Sequence, residues 1–156
     1  MVADIRKVEA KLKTIKAKEI MSRFAITIKE NENVTNLAHL MMRFKISGVP
    51  VMTKNGEICG IVTATDLFNL MKDIVKGMDD GKNLENYPDR QVSALMTKDV
   101  VTITEETTLY EIMQIMCAKN IHTLPVMVVS KKEIVGVIGR RDILNAFYVG
   151  AGSDPK

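Results

Sequence analysis

Ile46-Ser47-Gly48-Val49-Pro50-Val51, followed by a turn and a strand ending at Gly60-Ile61-Val62-Thr63-Ala64-Thr65-Asp66, occurs in this chain a second time. The second version is Ile121-His122-Thr123-Leu124-Pro125-Val126, ending at Gly136-Val137-Ile138-Gly139-Arg140-Arg141-Asp142. In both, an apolar-Pro-Val strand leads through a turn to Gly and two branched apolar residues, then to an Asp where an apolar helical pattern begins. An internal repeat of this kind outranks local propensity in deciding the fold.

The register follows from subtraction. Met21 and Met96, Thr27 and Thr102, Pro50 and Pro125, and Val51 and Val126 are each 75 residues apart. Gly60 and Gly136, and Asp66 and Asp142, are 76 apart, so one residue is inserted in the turn around Lys131 and Lys132. Exposed turns accept insertions at little cost.

A chain of 156 residues suffices for one ordinary domain or for two half-size units sharing a core, and the repeat favours the second. With no Trp and 11 Met, the interior is expected to be filled by methionine and branched aliphatics. The net charge of +3 is scattered, with no basic run of the kind that tracks a phosphate backbone, so nothing asks for nucleic acid. Cys59 and Cys117 lack metal-ligand spacing and read as buried reduced thiols. No signal peptide or membrane-length apolar run is visible, which gives a cytoplasmic expectation.

Ile5, Val8, Leu12 and Ile15 form one apolar stripe on a helix over Ala3 to Lys16, suited either to its own domain or to a dimer seam. Lys18 to Met21 reads as a short helical turn. The first repeat then predicts a strand at Ala25 to Ile28 and a helix capped by Asn33, with Val34, Leu37, Leu40, Met41 and Phe44 on its apolar face. Strands at Val49 to Met52 and Glu57 to Val62 flank the turn Lys54-Asn55-Gly56. A helix at Ala64 to Val75 buries Leu67, Leu70, Met71 and Ile74. Gly77 to Pro88 is polar and aperiodic, and reads as a linker.

The second repeat predicts a short helix at Val92 to Leu95, a strand at Val100 to Ile103, and a helix capped by Thr108 with Glu111 at capping-box spacing. Leu109, Ile112, Met113 and Met116 form its apolar face. Strands at Leu124 to Val129 and Ile134 to Ile138 and a helix at Arg140 to Phe147 follow, and Ala151 to Lys156 reads as a tail. The expected fold is α/β (α+β), two β-α-β-β-α units packed as a pseudo-twofold module with two equivalent clefts, since one such unit alone buries too little apolar area. The expected division is a helix at 1–15, units at 16–76 and 91–148, a linker at 77–90 and a tail at 149–156.

The Ser-Gly-Val-Pro-Val and Gly-Ile-Val-Thr-Ala-Thr-Asp signatures, with Met21-Ser22 opening one copy and Met96-Thr97 the other, resemble a tandem pair of CBS domains, a Bateman module. The resemblance covers about Lys16 to Leu70 and Val92 to Phe147. It implies clefts that bind AMP, ADP, ATP or S-adenosylmethionine as regulatory ligands, no catalytic cofactor, regulation of an unidentified protein partner, and a homodimer.

An Asp in a first helical turn can accept charge-assisted bonds from both ribose hydroxyls. The resemblance assigns Thr63 and Asp66 to one ribose and Asp142 to the other, with Gly139 standing where a hydroxyl is expected. The backbones of Thr27-Ile28 and Thr102-Ile103 would meet an adenine edge, with Val49, Pro50, Leu124 and Pro125 as apolar walls. His122, Arg140 and Arg141 suit a phosphate, where the first copy has neutral Ser47, Ala64 and Thr65. Thr-x-x-Asp is equally the spacing of a helix N-terminal box, and the two roles are compatible. His39, between Leu37 and Leu40, reads as exposed.

No Gly-rich phosphate loop, His-x-x-x-His or Cys-x-x-Cys occurs, and Asp66 and Asp142 belong to separate clefts, so no enzyme is expected. Two readings remain: an adenosine-ligand sensor, and a ligand-free dimerisation scaffold.

Overall fold

The computed structural model describes residues 4–84, 90–130 and 133–150. The expected turn at Lys131 and Lys132 and tail at Ala151 to Lys156, together with residues 1–3 and 85–89, lie outside the described residues.

Two helices precede the first repeat, α1 (Ile5–Thr14) and α2 (Ala17–Ile20). The first repeat forms β1 (Ile28–Lys29), α3 (Val34–Phe44), β2 (Gly48–Met52), β3 (Ile58–Thr63) and α4 (Ala64–Asp79). After a 3-10 turn at Val92–Ala94, the second forms β4 (Ile103–Thr104), α5 (Leu109–Lys119), β5 (Thr123–Val128), β6 (Glu133–Gly139) and α6 (Arg140–Tyr148). Each repeat makes a three-stranded sheet in chain order, its first pair parallel and its second antiparallel. Ile28 pairs with Val51 and Ile103 with Val126, while both antiparallel pairs carry one irregularity, at Val51/Met52 and Val126/Met127. The β-α-β-β-α reading therefore holds in both copies, down to the register.

The capping chemistry also follows the sequence. The Asn33 side chain accepts from the Asn36 amide at 2.9 Å. Thr108 and Glu111 form the expected reciprocal box, with bonds of 2.8 and 3.2 Å. Lys45 and Asn120, themselves 75 apart, close α3 and α5 in the left-handed region at φ 53° and 51°.

Four expectations need correction. The first strand of each copy starts later than predicted, at Ile28 and Ile103, because only the residues opposite Val51 and Val126 and their successors find a ladder partner. Helix α4 does not stop at Val75 but runs through Gly77 to Asp79. One interior Gly costs about 1 kcal/mol of helix propensity, and here Gly77 is buried where a Cβ would lie 2.9 Å from Leu84 Cδ2. The helix ends where Gly81, at φ 69°, lets Lys82 N–H reach Gly77 O at 2.8 Å and Gly81 N–H reach Met78 O at 3.1 Å. Cys117 is exposed and Cys59 only half-buried. On α5 the buried residues are Leu109, Ile112 and Met116, and the next position is rotated about 100° off that face.

Met71 is also exposed, at 60%, and with Phe68 (60%), Val75 (59%) and Met78 (66%) it lines the outer face of α4. Leu70 alone of its predicted stripe is fully buried, Leu67 and Ile74 being half-buried.

The compact units do not coincide with the repeats. One comprises Ile26–Val100; the other joins Met1–Ala25 to Val101–Lys156. The core of the first is Ile28, Leu37, Met41, Val49, Val51, Val62 and Val92. The second is built on Ile103, Leu109, Ile112, Met116, Leu124, Val126, Ile138, Ile143 and Ala146, and it includes Ala17. At about 1.5–3 kcal/mol per large apolar side chain buried, each cluster is a substantial core.

Candidate functional site

Thr63 is both the last residue of β3 and the N-cap of α4, because Gly48 pairs with Thr63 and fixes where the strand ends. Its hydroxyl accepts from Asp66 N–H at 3.3 Å and lies 3.1 Å from Asp66 Oδ2. Asp66 Oδ2 also accepts from Thr63 N–H at 2.8 Å. Both contacts to the carboxylate fall on the same oxygen, Oδ2. The box is therefore a helix cap that leaves the other carboxylate oxygen, Oδ1, without a protein partner among the described residues.

The second copy repeats the backbone and omits the hydroxyl. Thr123 pairs with Gly139, which caps α6 without a side chain, and Gly139 N–H donates to Asp142 Oδ2 at 2.8 Å. A Cβ on Gly139 would meet only Asp142 Oδ2 and His122 O, both at 3.9 Å, so the hydroxyl is missing without steric cause. Burial pushes the Asp142 carboxyl above its ordinary value, opposed by the Gly139 amide and by the positive charge of Arg141. Arg140, Arg141 and His122 are exposed, and neither arginine joins an ion pair among the described residues.

The other candidates sort by exposure. Ser47 and Thr102 are exposed and Thr27 is half-buried, so backbone at the entry to β1 and β4 is reachable. Ile28 and Ile103 point into the two cores. Val49, Pro50, Leu124 and Pro125 are fully buried, so any wall they offer is a buried one. Within the chain, Thr27, Ile28, Ser47, Val49, Pro50, Thr63 and Asp66 fall in one compact unit, and Thr102, Ile103, His122, Leu124, Pro125, Arg140, Arg141 and Asp142 in the other. His39 is exposed, as read. A shallow groove of about 370 Å³ lies elsewhere, on α4, lined by Phe68, Met71, Lys72, Val75, Lys76 and Asp79.

Residues the sequence reading did not assign to each other also meet. Ser22 exchanges two backbone bonds of 3.0 Å with Val137, and Thr97 exchanges bonds of 2.8 and 3.0 Å with Ile61. Met21 packs on Gly136 and Met96 on Gly60, where a Cβ would lie 2.6 and 2.5 Å from the respective sulfurs. The paired Met and Gly landmarks were visible in both copies; that each Met serves the other copy's Gly was not. No group of three or more metal-ligating side chains occurs among the described residues. No helix there is long and apolar enough to cross a membrane.

The CBS-domain family model matches residues 17–73 and 92–149, most of the chain and both copies. The chain belongs to the CBS-domain family. It is 30% identical over 142 residues to inosine-5'-monophosphate dehydrogenase of Methanocaldococcus jannaschii, spanning 90% of this chain but only 25% of that enzyme. Among solved structures, CBSX2 in complex with AMP superposes with a TM-score of 0.68 at 21% identity, over 85% of this chain and 95% of that one. The CBS domain pair of protein MJ0100, in complex with 5'-methylthioadenosine and S-adenosyl-L-methionine, gives 0.67 at 23%, over 85% and 94%. These likenesses establish the CBS-pair fold of this chain.

Proposed function

We propose that this CBS pair is a regulatory, non-catalytic module that takes an adenosine-containing ligand, AMP, ADP, ATP or S-adenosylmethionine, at its Thr63–Asp66 and Asp142 sites. It passes the ligand state to a partner protein by conformational change. The observation that carries this reading is the open Oδ1 of Asp66 in the first turn of α4, repeated by Asp142 in α6. A fixed carboxylate with one free oxygen suits the vicinal hydroxyls of a ribose. Thr27-Ile28 and Thr102-Ile103 present backbone for an adenine edge. The adenosine compounds bound by CBSX2 and by the MJ0100 domain pair support the ligand class.

The copies divide the ligands. Arg140 and Arg141 bring two positive charges to the helix turn that carries Asp142, and with the imidazole of His122 they suit ADP and ATP at that site. Adenosine and S-adenosylmethionine belong at Thr63–Asp66, where the hydroxyl is present. A thermal-shift screen with AMP, ADP, ATP, S-adenosylmethionine and GTP tests the class. A ligand at 100 times its Kd stabilises by about 2.7 kcal/mol, and a flat response to every adenosine compound would leave the scaffold reading. The exposed stripe Phe68, Met71, Val75 and Met78 favours a homodimer through α4. Phe68→Glu with Val75→Glu should convert it to a monomer in sedimentation.

A further inference from the structure

The segment that opens the chain packs on the second copy. Ala17 is fully buried in the second copy's core, with Leu12, Ile15, Ile20 and Met21 against it. Ala17 N–H donates to Thr107 O at 2.8 Å and Lys18 N–H to Glu105 O at 3.1 Å, while Leu109 N–H donates to Ile15 O at 2.8 Å. Lys11 Nζ donates to Phe147 O at 2.5 Å, near the end of α6. Lys16 and Lys18 both pair with Glu106, at 2.5 and 2.8 Å. Ser22 holds β6 at Val137, two residues before the Gly139 N-cap of α6.

This grip is uneven. Helix α1 buries no residue, and both ion pairs are exposed and open to screening by salt. The hold on the sheet is one bridge of two hydrogen bonds and not a ladder. Segments with few buried contacts open locally at lower cost than a core. We propose that Ile5–Ser22 is a releasable strap whose docking holds the end of β6 and the first turn of α6, and so controls the Asp142 site and not the Asp66 site. What the Asp142 site holds rests on the nucleotide reading; the strap itself does not.

Amide hydrogen exchange on the full chain without ligand tests it. In Gly136→Ala the new Cβ would lie 2.6 Å from Met21 Sδ and 2.9 Å from the backbone Ser22 O, so the strap must shift. Exchange in 15–24, 105–109 and 137–143 should accelerate at least tenfold while 26–84 stays unchanged. Gly60→Ala crowds Met96 instead, within the Ile26–Val100 unit, and should leave 15–24, 105–109 and 137–143 as they were. Because Gly136→Ala also alters β6, Ser22→Pro removes the strap's own N–H to Val137 and should give the same pattern. Unchanged exchange in 15–24 in both variants, or acceleration throughout 101–150 including β5, would overturn the strap. Unchanged exchange in 137–143 with a freed strap would overturn its control of the site. In an Asp66→Asn background, ATP affinity should fall at least threefold with Ser22→Pro. Absence of ATP binding to the unaltered protein would count against the nucleotide reading alone, since exchange decides the strap.

Discussion

Gly139→Thr asks whether the missing hydroxyl is what separates the two sites. The substitution fits: Gly139 is extended at φ −111°, and its Cβ would make only 3.9 Å contacts to Asp142 Oδ2 and His122 O. A Thr there can cap the Asp142 amide as Thr63 caps that of Asp66. Thr and Gly are similar as N-caps, so the cap adds only a few tenths of a kcal/mol. Losing glycine's freedom in the unfolded chain adds about 0.4–1 kcal/mol. Together these give roughly 1 kcal/mol, or a rise in Tm of about 2–4 °C for a chain of this size.

Binding is the sharper readout. If the hydroxyl also bonds a ribose, one further neutral hydrogen bond is worth about 0.5–1.5 kcal/mol, which is roughly a two- to tenfold tighter Kd. Titration calorimetry with adenosine on Gly139→Thr in an Asp66→Asn background isolates the second site. A raised Tm with unchanged adenosine affinity would show that the hydroxyl is a cap and nothing more. A fall in Tm would refute the claim that the site has room.

Asp66→Asn keeps most of the capping and should cost no more than about 1 kcal/mol of stability, yet weaken adenosine binding about ten- to a hundredfold through loss of a charged acceptor; unchanged affinity removes the first site. Arg140→Ala with Arg141→Ala should weaken ATP more than adenosine, and more at low salt than at high, whereas equal losses for both ligands would mean that the arginines serve the fold. Glu106 is held at a pKa of about 2 by its bonds to Lys16 and Lys18, so its contribution is present above the ordinary 4.5 and is lost as pH falls towards 2. Protection of 15–24, taken as exchange relative to the intrinsic rate at each pH, should fall over that window, and Glu106→Gln should abolish that fall. Asp142, raised by burial, acts in the opposite sense, its contribution being present at low pH and lost as pH rises through its folded value.

The parts of this fold legible in the sequence are those written by local rules twice over. The apolar-Pro-Val strands, the Asn33 and Thr108 caps and the spacing of Leu109, Ile112 and Met116 each depend on neighbours within a few residues, and the second copy checks the first. Helix α4 beyond Val75 was missed because Gly77 reads as punctuation, when Leu84 packs against it. Met71 was misplaced because the helical pattern around it is apolar on two adjacent faces, and periodicity cannot say which one is covered. The open oxygen of Asp66 was likewise invisible, since Thr-x-x-Asp is the same string whether the carboxylate spends one oxygen on the cap or both.

What no local rule contains is the exchange of opening segments. Met21 and Met96 occupy equivalent places in the repeats, but each fills a notch in the other copy's sheet. Similar repeats with the same sheet topology thereby end in compact units of unequal chain connectivity. The unit at Ile26–Val100 is closed by contacts within one continuous stretch. The other joins Met1–Ala25 to Val101–Lys156, through pairs such as Lys11 with Phe147, 136 residues apart. Closing a flexible loop over the intervening 75 residues costs about 4 kcal/mol by the logarithmic rule. That cost shrinks if the intervening unit is already folded, because a compact body holds its ends closer than a coil does. The first copy therefore lowers the entropic cost of assembling the second, whereas the second copy does nothing comparable for the first. The proposed strap lies on the unit that bears this cost, the one in which Gly139, Arg140 and Arg141 stand where the first copy has Thr63, Ala64 and Thr65.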